Sequence, residues 1–507
     1  MNILKITITS FLLSITICFA QDSNSTQVET EKKDTPATAT IVIEEAPAPI
    51  ASPAPMAEPM PEVQQIPEPQ LAPIPPIQGL PQENNPYFAP PAPMPPSSNN
   101  SLEEIFSPEH NMGIDYLSDE IEDGQAELDK ETGIRFFFDY IGTLLSNPSG
   151  GYRHSSTYNQ EIVYGFEFDL ERIFGWKGAS FVISGAYDSG ADLKNSTGSF
   201  FSPSQIALVD GVIFYELYLK QDFDLSVGSL EIKMGRFSVG DDFCTLPAYG
   251  VLVSGAMDAN PAAIFANSPF TGSPTATWTI SATYDTEFEN ISFAAVLSQA
   301  PKDLQSSTWD GLNFDISSDD GYLAMLEARW KPSFCEKYDA QGNPIKNSGL
   351  DGSYNVGVYY FGGYDPNLIS GYDRESGYGI YIQGQQMLIR WDEHSYLAMW
   401  AGMQASPVET SCAVSYMAFS GLQLQGFIPE RPHDGIYFSY YAAFFSDKYL
   451  TSSGEKASSE MGIEITYVFQ LNKHIALQPD IQYIIRPNGD STIDDALVIG
   501  AQVAISF

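Results

Sequence analysis

The sequence predicts an all-β fold: a 16-stranded antiparallel transmembrane β-barrel of the bacterial outer membrane, preceded by a disordered Pro-rich segment. Three observations predict it: a last strand in which apolar and polar residues alternate, fifteen further segments with the same alternation, and connections that are short on one side and long on the other. A proline-rich segment cannot keep a strand ladder. The barrel is therefore assigned to residues 133–507, where the alternating segments lie.

The last strand, residues 496–507, reads ALVIGAQVAISF. Strand side chains alternate between two faces, so Ile499 and Phe507 lie on an apolar face while Gly500 and Gln502 lie on a face of small or polar residues. A soluble sandwich strand shows the same alternation. A last strand that ends on an aromatic residue is typical of outer-membrane barrels, with that residue at the periplasmic interface.

Alternating segments separated by clusters of Gly, Asn, Asp, Ser and Pro continue throughout the region assigned to the barrel. The predicted strands are 134–144, 160–171, 179–187, 211–221, 228–236, 275–285, 290–299, 321–331, 353–362, 377–391, 395–404, 415–427, 435–446, 459–470, 474–485 and 496–507. Their number is even, as a single-chain outer-membrane barrel requires.

The connections between these strands differ in length on the two sides. With the amino end in the periplasm, the predicted external connections are 145–159, 188–210, 237–274, 300–320, 363–376, 405–414, 447–458 and 486–495. The opposite connections include short turns such as 286–289 and 471–473, with one long exception at 331–352. Short periplasmic turns and long external loops are typical of outer-membrane barrels, and the strand count then places Phe507 on the periplasmic side.

The amino-terminal region divides into three predicted parts. Residues 1–20 contain a short charged start and an apolar run that ends at Ala20, which predicts a secretory signal peptide. Residues 21–100 are predicted to form a disordered, Pro-rich periplasmic spacer, because they hold more than half of the 35 prolines of the chain. Residues 101–132 are acidic and are predicted to be a partly helical periplasmic segment.

Charge excludes one class of partner and aromatic content favours another. The chain has 24 Lys and Arg residues against 64 Asp and Glu, a formal charge of -40, whereas binding of nucleic acid needs a basic face. Aromatic residues make up 13% of the chain, which favours the two aromatic girdles of a barrel in contact with outer-membrane lipid. After the signal peptide, no stretch approaches the roughly 20 apolar residues of a membrane helix.

If the apolar face of each strand contacts lipid, the other face lines the lumen. The last three strands then place Glu464, Asp480, Gln482 and Gln502 on one inward polar wall. Earlier strands add charged pairs: Glu167 and Asp169, Glu216 and Lys220, Glu231 and Lys233, and Glu327 and Arg329. A midplane Lys or Arg on the lipid face would cost roughly 2 to 4 kcal/mol, whereas charges beside water cost little.

The longest predicted loop, 237–274, carries Asp241, Asp242 and Asp258 together with aromatic residues. Folded inward, it narrows the aqueous channel that a sixteen-stranded barrel leaves. Carboxylates, amides and rings suit neutral polyols such as small sugars, since the sugar hydroxyls exchange water for these partners. The same composition fits a general, cation-preferring pore, and the chemistry alone leaves both open.

Several segments match a known family pattern. They are EMGIEITY from Glu460, IALQPDIQYIIRPNG from Ile475, VIGAQVAISF from Val498, FYELYLKQ from Phe214, MGRFSVGDDF from Met234 and RPHDG from Arg431. With these motifs, the chain after the proline-rich segment resembles the OprB-like carbohydrate-selective porins. The resemblance implies a sixteen-stranded outer-membrane barrel that passes sugars passively.

The resemblance also implies a set of motif positions: Glu216, Arg236, Asp241, Asp242, Phe243, Arg431, Asp434, Glu464, Asp480 and Gln482. Combined with the inward strand residues, the predicted pore-lining set is Glu216, Lys220, Arg236, Asp241, Asp242, Glu327, Arg329, Arg431, Asp434, Glu464, Asp480, Gln482 and Gln502. Two departures leave the range of sugars undetermined. A Trp-Gly-Gly-rich stretch before the first strand is missing around 119–133, and the lumen is poorer in Arg.

The sequence predicts no enzyme and no cofactor or metal, because no nucleophile motif, phosphate loop or metal cluster is found. The one obvious His-Asp pair, His433 and Asp434, lies in a predicted periplasmic turn and is interpreted as structural. Cys244, Cys335 and Cys412 lack metal-ligand spacing and are expected to be isolated or pairwise-bridged thiols in loops.

A second role, compatible with a channel, is that of an envelope anchor. At about 3.1 Å per residue in polyproline II conformation, residues 35–100 reach on the order of 200 Å, far enough to grip the cell wall or a periplasmic partner. A plain disordered tail is the equally weighted alternative. Monomer and homotrimer both stay open, because lipid-facing and subunit-facing apolar residues look alike.

Overall fold

The protein is described by a computed structural model that covers residues 121–206, 210–288, 290–304, 309–336, 348–364, 376–392, 394–408 and 412–507. The predicted signal peptide, the Pro-rich spacer and the first part of the acidic segment lie outside the described residues. Among the described residues, no helix is long and apolar enough to cross a membrane.

Seventeen strands form one antiparallel sheet. They are β1 (Ile134–Ser149), β2 (Ser155–Asp169), β3 (Ala179–Gly190), β4 (Gly211–Leu225), β5 (Gly228–Phe237), β6 (Thr277–Asp285), β7 (Ile291–Ala300), β8 (Gly321–Trp330), β9 (Ser333–Phe334), β10 (Leu350–Gly362), β11 (Ser376–Arg390), β12 (Tyr396–Ala405), β13 (Val414–Gln425), β14 (Gly435–Phe445), β15 (Ser459–Gln470), β16 (Ile475–Ile485) and β17 (Ala496–Ser506). The two-residue β9 pairs only with the start of β10, so the other sixteen strands make the barrel. The predicted 16-stranded barrel is confirmed.

The barrel closes where β1 pairs with β17. Gln502 lies opposite Thr143 in this seam, and Phe507 continues the ladder beyond β17. The Phe138 N–H donates to the Phe507 carbonyl at 3.0 Å, and the Phe507 N–H donates to the Phe138 carbonyl at 2.9 Å. Closure removes the unpaired strand edges that an open sheet would present to lipid.

Alternation along each strand separates an apolar outer face from a polar inner face. In β15, Ile465 is 43% exposed on the outside, whereas its neighbour Glu464 is 3% exposed on the inside. Across the ladder, Glu464 lies opposite Gln482 of β16, and Ile465 lies opposite Ile481. The two-residue period of a strand therefore yields a surface for lipid and an interior for polar groups.

The loop lengths follow the predicted segregation with one correction. The expected long connection 145–159 is only residues 150–154, because β1 and β2 pair without interruption up to Asn147 opposite Ser155. The predicted exception on the other side is real, since the connection from β8 to β10 is long and contains β9. We refer below to the long-loop end and the short-turn end of the barrel.

Residues 121–132 are helical and contact the short-turn end. Arg172, which follows β2, donates to the carbonyl of Asp129 at 2.7 Å and to its Oδ1 at 3.0 Å. Near the other end of the helix, Glu122 forms an ion pair with Lys473 in the turn between β15 and β16. The helix thus bridges two turns on either side of the β1–β17 seam.

Replacing Gly500 with valine is expected to weaken the seam. A Cβ at Gly500 would lie 2.0 Å from the Leu144 carbonyl oxygen, a backbone atom that cannot move aside without breaking the β1–β17 ladder. We expect Gly500→Val to lower the free energy of unfolding by about 1–3 kcal/mol, as overpacking does. The temperature at which the folded band disappears in heated gel samples measures this. Ala501→Val on the outer face is the control, and equal loss in both variants would contradict the argument.

Candidate functional site

The connection between β5 and β6, residues 238–276, lies inside the barrel. Its backbone N–H groups donate to inward side chains of strands on the opposite wall: Cys244 to Glu327 Oε2 at 2.9 Å, Ala248 to Gln385 Oε1 at 2.9 Å and Val253 to Glu464 Oε1 at 2.6 Å. These acceptors belong to β8, β11 and β15. The predicted inward fold of the longest loop is therefore present, and we call residues 238–276 the inner loop.

The inner loop keeps its shape through its own hydrogen bonds. The Asn260 amide donates to the carbonyl oxygens of Gly240, Phe243 and Cys244 at 3.2, 2.9 and 3.2 Å. The Thr271 hydroxyl accepts from the Val239 N–H at 2.9 Å, which ties the start of the loop to its end. The loop is thus a fixed part of the lumen wall rather than a loose chain.

The polar wall predicted from the last three strands faces inward but is covered by loops. Glu464 accepts from both Val253 and Ser254 of the inner loop, and Gln482 donates to the Pro203 carbonyl of the β3–β4 connection at 2.8 Å and to Asp480 at 2.9 Å. All of these side chains are buried. The expectation that they border the open channel is corrected here, because they hold the loops instead.

Gln502 belongs to the same covered wall. It accepts from the Thr143 hydroxyl at 3.1 Å and donates to Gln478 at 3.3 Å. The Gln478 amide in turn donates to the Val251 carbonyl of the inner loop.

Glu327 and Arg329 of β8 fasten the first part of the inner loop. Arg329 Nε pairs with Glu327 Oε1 at 2.5 Å, and Arg329 Nη2 donates to the Asp242 carbonyl at 2.6 Å. The Asp242 carboxylate pairs with Lys233 Nζ at 3.2 Å. This partly buried network fixes the place where the loop leaves β5. Glu327, Arg329 and Asp242 therefore position the channel wall and are not among the residues that line the cavity described below.

Arg431 and Asp434 lie in a turn at the short-turn end. Arg431 binds both Asp434 oxygens, at 2.5 and 2.9 Å, and Asp434 also accepts from Tyr467 OH at 2.7 Å and the Gln470 N–H at 3.0 Å. Asp434 is thus held by groups other than its neighbour His433. The predicted pore-lining role of this pair is corrected, because the pair closes a turn.

Arg236 points away from the lumen. Along β5, Lys233 contacts the inner loop, so Met234 and Arg236 occupy the opposite, outer face, and Met234 is 49% exposed there. Arg236 lies opposite Leu217 and Trp278 in the ladder. The expectation that Arg236 lines the pore is wrong for this geometric reason.

Part of the lumen is an open cavity of about 680 Å³ between strands β1 to β5 and the inward loops. Glu216, Lys220 and Asp241 of the predicted set line it. Its other polar and aromatic lining includes Arg135, Phe137, Asp139, Glu161, Glu167, Gln205, Tyr218, Lys233, Asp258, Asn260, Phe265 and Phe270.

A second cavity of about 250 Å³ adjoins the first toward the short-turn end. The two cavities share Arg135, Glu167, Ser180 and Lys220, and the second also reaches Asp129 of the 121–132 helix. The passage therefore runs along the β1–β4 wall to the mouth beside that helix.

The cations of this wall are held by carboxylates or rings. Arg135 lies 3.6 Å from Glu167, and Lys220 lies 3.8 Å from Glu231. Lys233 pairs with Asp242 and sits 4.3 Å from the centroids of both the Tyr218 and Phe237 rings. The lining thus combines fixed charges with ring faces.

Arg135, Asp139 and Glu161 were missed as site residues although the sequence carries their signal. In β1, Arg135 and Asp139 alternate with the aromatic residues 136, 138 and 140, and Glu161 of β2 is in phase with the inward Glu167. Asp258 faces Glu161 from the inner loop, and the Gln205 amide, in the orientation that gives both of its ends a partner, donates to Asp258 Oδ1 at 2.7 Å. No periodicity indicates the position of a loop residue, so only the fold reveals Asp258.

Two carboxyl groups of the inner loop have raised pKa values. Burial raises the pKa of Asp258 well above its ordinary value of 3.8, and the charge of Glu161 adds to the rise. Burial likewise raises the pKa of Asp241, with the charge of Asp242 adding to it. Both groups gain negative charge only at a pH above that of an exposed carboxyl.

Cation preference is expected to increase with pH because of Asp258. Below its raised pKa the group is neutral, and above it a negative charge faces the cavity. We expect the K⁺ to Cl⁻ permeability ratio to rise about twofold as the pH rises through the raised pKa of Asp258, and Asp258→Asn to remove this rise. The reversal potential in a KCl gradient measures the ratio. An unchanged curve in the variant would contradict this assignment.

The raised pKa of Asp258 also makes the stability of the folded protein depend on pH. A raised carboxyl pKa means that the folded protein holds the proton more tightly than the unfolded chain. The contribution of Asp258 to stability is therefore fully present below its ordinary pKa of 3.8 and is lost as the pH rises through the raised value.

None of the three described cysteines forms a disulfide: Cys244 and Cys412 are buried and Cys335 is exposed. All three lie in connections, as expected, and the expected alternative of a bridged pair is not formed among them.

A closed sixteen-stranded barrel with an inner loop and a polar passage defines the class of outer-membrane porins. The model of the OprB family, described as carbohydrate-selective porin, matches residues 153–507. The chain belongs to this family, whose members are channels of the bacterial outer membrane that pass carbohydrates passively.

Individual relatives agree with this assignment. Porin B of Pseudomonas aeruginosa is 25% identical over 421 residues, which cover 74% of this chain and 88% of that protein. The putative porin QuiX of Acinetobacter baylyi is 22% identical over 421 residues, covering 76% and 91%. The high-pH structure of Pseudomonas putida OprB superposes with a TM-score of 0.65 at 22% identity and covers 76% of this chain and 98% of that one.

Proposed function

We propose that this porin passes small neutral sugars through the cavity between strands β1 to β5 and the inner loop. The observation that carries the proposal is the lining of that cavity. Carboxylates such as Glu161 and Asp258 accept hydrogen bonds from sugar hydroxyls, and the amide of Gln205 has both a donor and an acceptor group.

Aromatic rings supply the second part of sugar recognition. Phe265 and Phe270 pack edge to face with ring centroids 5.0 Å apart, and both line the cavity together with Tyr218. The C–H faces of a sugar ring are apolar, so they pack favourably against aromatic rings when both surfaces leave water. A volume of about 680 Å³ lies within the usual range of sites for small molecules.

The pore residues of this proposal differ from the wall that holds the loops. We assign contact with solute to Glu216, Lys220, Asp241, Glu161 and Asp258. Glu327, Arg329, Glu464, Asp480, Gln482 and Gln502 are assigned an indirect role, because they position the loops that bound the passage.

Reconstitution of the full chain in a planar bilayer tests the proposal. We expect open channels whose ionic current falls as a neutral sugar is added and occupies the cavity. Asp258→Asn, combined with Phe265→Ala, removes one acceptor and one ring face and is expected to weaken the block about tenfold. Channels that conduct ions but respond to no sugar would contradict selectivity.

A general, cation-preferring pore is the second candidate, favoured by the number of carboxylates in the cavity lining. Liposome swelling separates the two candidates. A general pore passes sugars and uncharged amides of equal size at equal rates, whereas a selective pore passes the sugar faster.

We also propose an anchoring role for residues 35–100, with the amino-terminal segment in the periplasm. Support comes from the helix at 121–132, which contacts the short-turn end and leads into β1, so the chain approaches the barrel from that end. Deleting residues 35–100 is expected to leave sugar uptake unchanged and to reduce envelope integrity. Unchanged integrity would contradict the anchor. The homotrimer stays a prediction, checked by native mass spectrometry.

A further inference from the structure

Part of the connection between β7 and β8 lies against the outer face of the barrel. We call residues 310–316 the strap. The Asp310 carbonyl accepts from the Phe214 N–H at 2.8 Å, at the point where the pairing of β4 with β3 is irregular. A Cβ on Gly311 would lie 1.9 Å from the Phe214 carbonyl oxygen, so this position requires glycine and the strap is pressed against β4.

The strap covers Arg236 on that outer face. The Arg236 guanidinium donates from Nη1 to the Asn313 carbonyl at 2.5 Å and from Nη2 to the Ala276 carbonyl at 3.0 Å. Its carbon Cζ lies 4.8 Å from the centroid of the Phe314 ring. Arg236 is only 1% exposed, although its strand position faces away from the lumen.

Aromatic side chains of the barrel complete this cover. Trp278 Nε1 donates to the Phe314 carbonyl at 3.0 Å, and the Phe314 ring packs against the rings of Trp278 and Phe214 at 6.2 and 5.5 Å. A cation on an outer strand face is costly beside lipid unless its donors are satisfied. The Asn313 and Ala276 carbonyls bind the two terminal nitrogens, and the Phe314 ring covers the guanidinium, while Nε has no hydrogen-bond partner among the described residues.

The strap exposes three apolar side chains, which alternate with the exposed polar residues Asn313 and Asp315. Leu312, Phe314 and Ile316 are 62%, 40% and 72% exposed. One step further along the strands lies the band of Met234, Ile280 and Leu297, which are directly paired across β5, β6 and β7 and are about half exposed on the lipid-facing surface. Without the strap, Arg236 would place a charge on the lipid-facing surface next to this band. The strap covers that position with apolar side chains.

We propose that the strap is a membrane anchor whose Leu312, Phe314 and Ile316 side chains insert among the acyl chains of the adjacent lipid leaflet. The occupant is lipid because the strap packs on Phe214 and Trp278 of the outer face and places the Phe314 ring, not a charge, over Arg236. Its neighbour at the end of the connection, Asp319, is exposed and pairs with Lys302 at 3.6 Å, so this part of the connection stays in water.

A site-specific fluorescent probe tests the proposal in the full chain. Ile316→Cys is labelled in a Cys335→Ser background, because Cys335 is exposed while Cys244 and Cys412, the other two cysteines in the described part of the chain, are buried. Asp319→Cys in the same background is the matched control. Both proteins are reconstituted in phosphatidylcholine vesicles that contain acyl-chain nitroxide, and ion conductance confirms that each is folded.

We expect the nitroxide lipid to quench the probe at 316 at least about threefold more strongly than the probe at 319, and aqueous iodide on both sides of the membrane to show the reverse order. Iodide quenching at 316 equal to that at 319 would overturn the proposal, since the strap would then lie in water. Protection of 316 from both quenchers would overturn it as well, and a crosslink between copies at 316 would then identify a second protomer as the occupant.

Discussion

Ser180→Trp is expected to reduce both ion conductance and sugar flux by about threefold or more, because pore diameter controls permeation. Ser180 of β3 lines both cavities and lies opposite Lys220 of β4, where the two cavities meet. Its hydroxyl has no hydrogen-bond partner among the described residues, so the substitution removes no bond. The new ring projects toward the junction of the two cavities, and the barrel is expected to keep its stability.

Phe181→Trp is the matched control for this prediction. It lies next to Ser180 in the chain but on the outer face, where its ring packs 6.0 Å from Phe168. Single-channel conductance and liposome swelling of both variants are compared with those of the natural protein. Equal conductance in Ser180→Trp and Phe181→Trp would show that solutes take another route.

Glu464→Ala is expected to release the inner loop. The carboxylate accepts hydrogen bonds from Val253 and Ser254 at 2.6 and 3.3 Å, and alanine would leave both N–H groups without an acceptor in a buried place. We expect a loss of roughly 2–4 kcal/mol in the free energy of unfolding, together with larger, noisier conductance and weaker block by sugar.

Glu455→Ala, an exposed carboxylate in the connection between β14 and β15, is the control for charge alone. Heat-dependent gel mobility measures stability, and single-channel recording measures the motion of the loop. If Glu464→Ala lowered stability but left conductance and sugar block unchanged, Glu464 would not position the inner loop.

The strands could be predicted because their signal is local. In β17, the alternation of Ile499 and Val503 with Gly500 and Gln502 depends only on the two-residue period of an extended chain. The first connection was predicted too long because polar residues near its tips, such as Asn147 and Ser155, still pair across the β1–β2 hairpin. Composition suggests a loop there, but pairing continues wherever a partner strand is present.

The site was predicted less well because an inward direction does not mean contact with water. Glu464, Asp480 and Gln482 point inward as their alternation indicates, yet two loops cover them. Arg236 is the reverse case. Its phase with the outward Met234 was visible in the sequence, but its motif suggested the pore, and only the strap explains how an outward cation is tolerated.

The sequence by itself determined the sixteen strands, the two faces of each and the family, since these depend on local alternation and on short motifs. The tertiary structure decided which side of the lumen stays open, because the inner loop binds the β8, β11 and β15 wall and leaves the β1–β5 wall facing the cavity. The physical reason is that loop placement depends on hydrogen bonds between residues far apart in the chain. Val253 and Glu464 are one such pair, and no local pattern encodes it.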